Sequence, residues 1–168
     1  MLEKCFMEIE RKFTIRKLPE HLEQYDTKQI EQAYLCTEPV IRIRRSNQDY
    51  ILTYKSKRGI PQEGRARCHE EVELPLTKEA FEHLREKADG NVIVKTRYLI
   101  PAEAHRKIEL DIFGGCLTGL AFAEMEFESE EEANAYQMPD WFLTDVTFDK
   151  RFSNSYLSRI SDFSELGL

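Results

Sequence analysis

Residues 8–13 read Glu-Ile-Glu-Arg-Lys-Phe, and this stretch decides how the rest of the chain is interpreted. Successive side chains of a β-strand point to opposite faces, so a strand here places Glu8, Glu10 and Lys12 on one face and Ile9 on the other. Two carboxylates and an ammonium group on one face can hold a metal ion and an anion together. The stretch therefore predicts a strand with one ionic face suited to binding.

Six later segments repeat this alternation of charged and apolar residues. Their ionic faces carry Arg42 with Arg44, Lys55 with Lys57, Glu71 with Glu73, Lys95 with Arg97, Glu109 with Asp111, and Glu124 with Glu126. An antiparallel sheet that turns one face to water is one explanation. However, these faces contain almost no Ser, Asn or Gln, and like charges two residues apart repel each other without a counter-ion. The pattern favours a binding surface but leaves open which face lies inside.

The charged pairs indicate two kinds of ligand. Carboxylate pairs such as Glu8 with Glu10 are typical of sites for a hard cation such as magnesium. The pair Arg42 and Arg44 is typical of a phosphate site, because guanidinium groups offer forked donors. A closed sheet with its ionic faces inside would hold a polyanion together with the metal ions of that polyanion.

Length and composition bound the architecture and the partners. The chain has 168 residues, which suits one domain spanning residues 1–168, and its net charge of -7 argues against a nucleic-acid partner. No apolar run is long enough to cross a membrane, so we expect a cytoplasmic protein with a small-molecule partner. The cysteines Cys5, Cys36, Cys68 and Cys116 have no metal-site spacing and are expected to be reduced.

Segments with strand-like alternation dominate the chain. We place eight strands near residues 5–14, 29–37, 39–46, 49–57, 68–75, 92–100, 106–113 and 120–128. Eight such segments indicate a large antiparallel sheet or barrel. We place short helices at residues 18–25, 78–88, 130–136 and 153–160. Thr77 is the predicted N-cap of the second helix.

The charged pairs follow an order and spacing that resemble a known family. The opening E-I-E-R-K-F resembles the E-x-E-x-K signature of the CYTH superfamily, also called triphosphate tunnel metalloenzymes. The resemblance continues through V-I-R-I-R, I-L-T-Y-K, E-V-E-L-P, V-K-T-R-Y, I-E-L-D-I-F, A-E-M-E-F and D-V-T-F-D-K-R-F-S-N. It covers about residues 6–157, which is nearly the whole chain.

The resemblance implies a fold and a set of site residues. The fold is α+β and mainly antiparallel: an eight-stranded closed β-barrel with a charged lumen and helices packed outside. The substrate phosphates would be bound by Lys12, Arg42, Arg44, Lys55, Lys95, Arg97 and Lys150. The metal ions would be bound by Glu8, Glu10, Glu109, Asp111, Glu124 and Glu126. Glu71 and Glu73 would share a role, as part of the metal shell and as ionic partners of nearby cations.

The resemblance first implies a metal-dependent triphosphatase that hydrolyses inorganic triphosphate to pyrophosphate and orthophosphate. We expect two Mg²⁺ or Mn²⁺ ions, one bridging phosphate oxygens and one activating the attacking water. Glu8, Glu10 and Lys12 are the predicted catalytic residues. A class IV-type adenylyl cyclase, a nucleoside or thiamine triphosphatase and a non-catalytic polyphosphate-binding module stay open as alternatives. A homodimer stays open as well.

Two residues of the series are harder to place from sequence. His69 shares the parity of Glu71 and could reach the lumen, but we expect it at the surface or at the rim. Lys150 is the one predicted phosphate ligand outside the strands. We therefore place Lys150 on a segment that closes one mouth of the barrel.

Overall fold

The computed structural model describes residues 4–168, with side chains from Met7 onward, so the side chain of Cys5 lies outside the described part. The strands of this part are β1 (Lys4–Ile15), β2 (Asp26–Thr37), β3 (Val40–Ser46), β4 (Asp49–Ser56), β5 (Arg67–Pro75), β6 (Asp89–Pro101), β7 (Lys107–Phe113), β8 (Ala121–Glu126) and β9 (Phe142–Asp145). The α-helices are α1 (Lys78–Arg85), α2 (Glu130–Ala135) and α3 (Asn154–Leu157). Cys36, Cys68 and Cys116 are free thiols.

The first eight strands close into an antiparallel barrel. Their order is β5-β4-β3-β2-β6-β7-β8-β1, and the ring closes because β1 pairs with β5 through its first half and with β8 through its second. The predicted eight-stranded closed barrel is confirmed. The sequence pattern does not predict β9, which is only four residues long and pairs with the end of β1 at Phe13 to Ile15.

Helix α1 covers part of the outer surface of the barrel. Its Phe81 packs in an apolar cluster with Ala33 of β2 and Ile43 of β3, whose side chains lie on the opposite face to the ionic pairs. The helix begins where expected, because the Thr77 hydroxyl accepts a hydrogen bond of 3.1 Å from the Ala80 amide. Burial of these apolar side chains beneath α1 confirms that this helix packs against the outside of the barrel.

A second apolar cluster covers the outer face of β1, β7 and β8. Its buried members include Phe13, Leu110, Ala123, Met125, Ala133 and Phe142. Arg11 lies beside this cluster, and its guanidinium donates to the carbonyl oxygen of Ala133 at 2.8 Å. The same guanidinium pairs with Asp145 at 2.6 Å. These contacts attach α2 and β9 to the wall of the barrel.

The segment after β9 packs into one end of the barrel interior. Phe113 and Phe122 share the parity of the ionic residues, yet they belong to an apolar cluster with Val146, Phe152 and Leu157. The rings of Phe122 and Phe152 meet edge to face, with 5.5 Å between centroids. Apolar side chains therefore fill this end, and the ionic residues occupy the remainder of the interior.

Two of the predicted helices differ from the structure. Residues 18–25 form only a single 3-10 turn at Leu22–Gln24, and residues 153–160 form the four-residue α3. Segments this short gain too few intrahelical hydrogen bonds to offset the cost of starting a helix. Between residues 4 and 168, none of the helices has the length and apolar character needed to span a membrane.

Candidate active site

The barrel encloses a cavity of about 1080 Å³ with charged walls. All of the predicted site residues except Asp111 line it: Glu8, Glu10, Lys12, Arg42, Arg44, Lys55, Lys95, Arg97, Glu109, Glu124, Glu126 and Lys150. The predicted charged lumen is confirmed, because the ionic faces point inward while the apolar faces point outward.

On one side of the cavity, a single ammonium group lies within ion-pair distance of three carboxyl groups. Lys55 of β4 contacts Glu8 directly, and its Nζ atom lies 3.2 Å from Glu71 and 4.0 Å from Glu10. The register of the strands explains the cluster, because Glu71 of β5 is the direct partner of Lys55 and β1 is the other neighbour of β5. Three carboxylates around one cation leave a negative charge that a metal ion could neutralise.

Burial and repulsion change the acid strength of these carboxyl groups. Burial, and after it the charge of Glu10, raises the pKa of Glu8 to about 8. Burial also opposes ionisation of Glu10, but the ammonium groups of Lys55 and Lys12 hold the pKa of Glu10 below its usual value. At neutral pH the cluster therefore keeps a proton on Glu8 while Glu10 is ionised.

His69 lies inside this cluster, so its expected position at the surface or rim is wrong. It is directly opposite Glu8 in the pairing of β1 with β5, it is only 6% exposed, and its Nδ1 atom is 3.8 Å from a carboxylate oxygen of Glu8. Burial and the charge of Lys55 lower the pKa of His69 to about 4, so its imidazole is neutral at pH 7. The sequence gives the correct parity for His69 but no signal of its depth.

These residues fit a divalent cation. One ligand atom each from Glu8, Glu10 and His69 lie within 4.8 Å of one another, and the three side chains face the same cavity. Oxygen and imidazole nitrogen are both common donors to divalent metals. The Nδ1 atom of His69 finds no hydrogen-bond partner anywhere in the described chain. A cation at this position would supply the partner that this buried nitrogen lacks.

The other side of the cavity is a network of ion pairs between β6, β7 and β8. Arg97 donates to Asp111 at 2.7 and 2.8 Å and to Glu124 at 2.7 Å, and it also contacts Glu109. Lys95 donates to Asp111 at 2.5 Å, and burial lowers the pKa of Lys95 to about 8 despite this partner. These two cations are therefore held in fixed positions by carboxylates.

Lys12 connects this network to the segment that fills the end of the barrel. Its Nζ atom lies 2.7 Å from Glu124 and donates to the carbonyl oxygen of Phe152 at 3.0 Å. Burial opposes ionisation of Glu124, but Lys12 and Arg97 outweigh burial and hold the pKa of Glu124 well below its usual value. Glu124 is therefore ionised at neutral pH.

Strand β3 supplies two guanidinium groups that retain donors for a ligand. Arg44 pairs with Glu73 at 2.9 Å, and Arg42 makes a long hydrogen bond of 3.5 Å to Thr53. Within residues 4–168, the Nε atoms of both arginines are buried without a hydrogen-bond partner. Buried guanidinium donors without partners are suited to phosphate oxygens. Lys150 is itself exposed and lines the same cavity from the 3-10 turn Lys150–Phe152 after β9.

The position of Asp111 differs from that of a residue facing a ligand. Both of its carboxylate oxygens accept hydrogen bonds from Lys95 or Arg97, and Asp111 is 1% exposed. It does not line the cavity. The structure therefore places Asp111 beneath Lys95 and Arg97, where its carboxylate binds both cations, whereas the family resemblance implies a metal ligand.

Several basic residues outside the predicted set also line the cavity. They are Lys28, Lys57, Arg58, Arg67 and Arg159. Parity could have identified two of them, because Lys57 follows Lys55 by two residues and Arg67 precedes His69 by two. Of the other three, Arg58 lies in the loop after β4, Arg159 lies after α3, and Lys28 lies on β2, whose inner face carries no repeated charge.

Comparisons with known proteins agree with this geometry. The model of the CYTH domain family matches residues 7–155. An inorganic triphosphatase of Nitrosomonas europaea is 34% identical over 154 residues, which cover 90% of this chain and 96% of the relative. An inorganic triphosphatase of Acetivibrio thermocellus is 35% identical over 119 residues, which cover 70% of each. A crystal structure of an inorganic triphosphatase is 33% identical with a TM-score of 0.65, over 90% of this chain and 93% of that one. The chain therefore belongs to the CYTH domain family.

Proposed function

We propose that this protein is a metal-dependent triphosphatase that hydrolyses inorganic triphosphate to pyrophosphate and orthophosphate inside its barrel. The observation that carries the proposal is the cavity itself, in which a candidate metal site faces guanidinium and ammonium groups from several strands. The substrate class is further supported by the names of two relatives, both inorganic triphosphatases.

The basic residues of the cavity bind the substrate in this proposal. A triphosphate is a linear polyanion, and Arg42, Arg44 and Lys55 offer it donors from two adjacent strands. Lys12, Lys95, Arg97 and Lys150 complete the set. Phosphoryl transfer depends mainly on positioning and on stabilising charge spread over oxygens. Cations already fixed by neighbouring carboxylates supply this stabilisation without rearranging during the reaction.

The acidic residues hold the metal cofactors, for which we propose two Mg²⁺ or Mn²⁺ ions. Glu8 and Glu10, with His69 beside them, would hold one ion, and Glu109, Glu124 and Glu126 would contribute to the second. Bound divalent ions neutralise phosphate charge and lower the pKa of coordinated water. Lys12 orients Glu124 through their ion pair of 2.7 Å. Asp111 contributes by positioning Lys95 and Arg97.

Phosphate release from three substrates tests the proposal. Purified protein would be given inorganic triphosphate, ATP or thiamine triphosphate, with Mg²⁺ or Mn²⁺ and with a chelator as control. We expect the highest kcat/KM for inorganic triphosphate, no turnover with the chelator, and a large loss in Glu10→Gln. A higher kcat/KM for ATP or thiamine triphosphate would show that this compound, and not inorganic triphosphate, is the preferred substrate. Formation of cyclic AMP from ATP without release of orthophosphate would identify an adenylyl cyclase.

The remaining expectations accompany this proposal. The partner is a small molecule, with no nucleic acid and no membrane, and the protein is cytoplasmic. Light scattering at several protein concentrations decides between a monomer and a homodimer. Binding of a labelled oligonucleotide at physiological salt would contradict the absence of a nucleic-acid partner.

A further inference from the structure

We propose that His69 is a nitrogen ligand of the metal site formed with Glu8 and Glu10, and that it makes this site prefer Mn²⁺ to Mg²⁺. The inference rests on the proposed function for the kind of cofactor involved. It goes further by assigning a ligand and a metal preference to the site.

The position of His69 is that of a ligand. Its imidazole is nearly inaccessible to solvent, lines the cavity and lies opposite Glu8 across the β1–β5 pairing. Its Nδ1 atom has no hydrogen-bond partner among the described residues. A buried polar atom that stays unpaired costs about 1–3 kcal/mol, so such atoms usually have a partner. One donor atom each of Glu8 and Glu10 lies within 4.8 Å of a ring nitrogen of His69, which is close enough to share a cation.

Other interactions do not account for this imidazole. The distance from Nδ1 to the Glu8 carboxylate is 3.8 Å, which is too long for a hydrogen bond. Lys55 contacts the same carboxyl group, so Glu8 already has a polar partner other than His69. The imidazole of His69 therefore lies beside two carboxyl groups, but its Nδ1 atom is hydrogen-bonded to neither.

The donor set distinguishes between Mg²⁺ and Mn²⁺. Mg²⁺ prefers oxygen ligands and loses its water reluctantly, so an imidazole adds little to its binding. First-row transition ions accept imidazole nitrogen readily. Two carboxylates and one imidazole therefore favour Mn²⁺ over Mg²⁺, whereas carboxylates alone would give no such preference.

Metal binding without substrate tests the inference directly. The metal-free full chain would be titrated calorimetrically with Mn²⁺ and separately with Mg²⁺, and the Mn²⁺ complex would be studied by pulsed electron paramagnetic resonance. We expect tighter binding of Mn²⁺, with a ¹⁴N modulation that changes when histidine is ¹⁵N-labelled. In His69→Gln the modulation should disappear and Mn²⁺ affinity should fall by at least about tenfold. Mg²⁺ affinity should hardly change, because the Gln amide keeps an oxygen donor.

His83→Gln is the matched control, because His83 is exposed on α1, away from the cavity. It should bind both metals like the parent chain. Circular dichroism and thermal melting show whether His69→Gln folds, and the nitrogen signal of the unaltered chain tests the inference independently of any variant. Absence of that signal, or equal Mn²⁺ affinity in folded His69→Gln, would overturn it.

The two proposals fail separately. Turnover of inorganic triphosphate without nitrogen coordination would leave the triphosphatase proposal standing and reject the ligand role of His69. Nitrogen coordination without turnover of triphosphate would support the ligand role of His69 and reject the triphosphatase proposal.

Discussion

Lys95 and Asp111 form the most deeply buried ion pair among the described side chains: Nζ lies 2.5 Å from a carboxylate oxygen, and both side chains are 1% exposed. The same carboxylate holds Arg97 through two hydrogen bonds. Asp111 is thus the common partner of two buried cations. Its removal would leave both with less compensation for their lost hydration.

Asp111→Ala should therefore lower the free energy of unfolding by about 3–5 kcal/mol, the usual cost of breaking a buried ion pair. Denaturant unfolding of the metal-free protein measures this loss in the free energy of unfolding. The matched control is Glu82→Ala, which removes the exposed pair with Lys78 and should cost less than about 1 kcal/mol. Equal effects of the two substitutions would contradict the positioning role of Asp111.

Adjacent arginines on β3 allow a matched test of phosphate binding. Arg44 lines the cavity, whereas Arg45 points to the outer side and pairs with Glu31 at 3.3 Å. A hydrogen bond to a charged group contributes about 1.5–3 kcal/mol, so Arg44→Ala should raise KM for triphosphate by about 10-fold to 100-fold. Arg45→Ala should leave KM nearly unchanged. Steady-state phosphate release gives both values, and a similar KM for the two variants would contradict the lumen assignment.

Lys150 tests whether the segment after β9 contributes to binding. It is exposed at the cavity, so its contribution is that of a solvated charge, and Lys150→Ala should raise KM by about twofold to fivefold. The fold should be intact because Lys150 is exposed and is not among the residues that form the described apolar clusters. Arg151→Ala removes the neighbouring charge, which pairs with Asp149 instead, and is the control. An unchanged KM in Lys150→Ala would exclude its proposed role.

Metal binding should release a proton in a defined pH range. The raised pKa of Glu8, about 8, means that this carboxyl group is mostly protonated below pH 8 and must lose its proton to bind a cation. Calorimetric titration with Mg²⁺ in buffers of different ionisation enthalpy should show release of about one proton at pH 6.5. The release should fall towards zero above pH 8, and apparent affinity should rise between these values. Proton release that is independent of pH would contradict a protonated Glu8.

Much of the barrel could be predicted from the alternation of single strands. The pairs Arg42 with Arg44 and Glu124 with Glu126 identify each strand and the residues that share one of its faces, because side chains of a strand alternate with a period of two. Which face lies inside came only from the family resemblance. The alternation is equally compatible with a sheet whose charges face water.

The remaining features depend on contacts between distant segments. His69 is buried because β5 pairs with β1 so that His69 lies opposite Glu8. The carboxylate oxygens of Asp111 are already hydrogen-bonded because Asp111 lies opposite Arg97 in the pairing of β6 with β7. Neither relationship leaves a periodic signal in the sequence. Similarly, Phe122 has the parity of a lumen residue, but its contact with Phe152 excludes it from the ionic part of the cavity.

The first strand of the chain has consequences for the order of folding. β1 needs β5 on one edge and β8 on the other, and its end also pairs with β9. During synthesis, the residues of β1 therefore leave the ribosome long before Ala121 and Phe142, where β8 and β9 begin, are available. Until then the edge of β1 that β8 will occupy is unpaired and open to other chains. We therefore expect aggregation of the nascent chain to be strongest in the interval before β8 and β9 emerge.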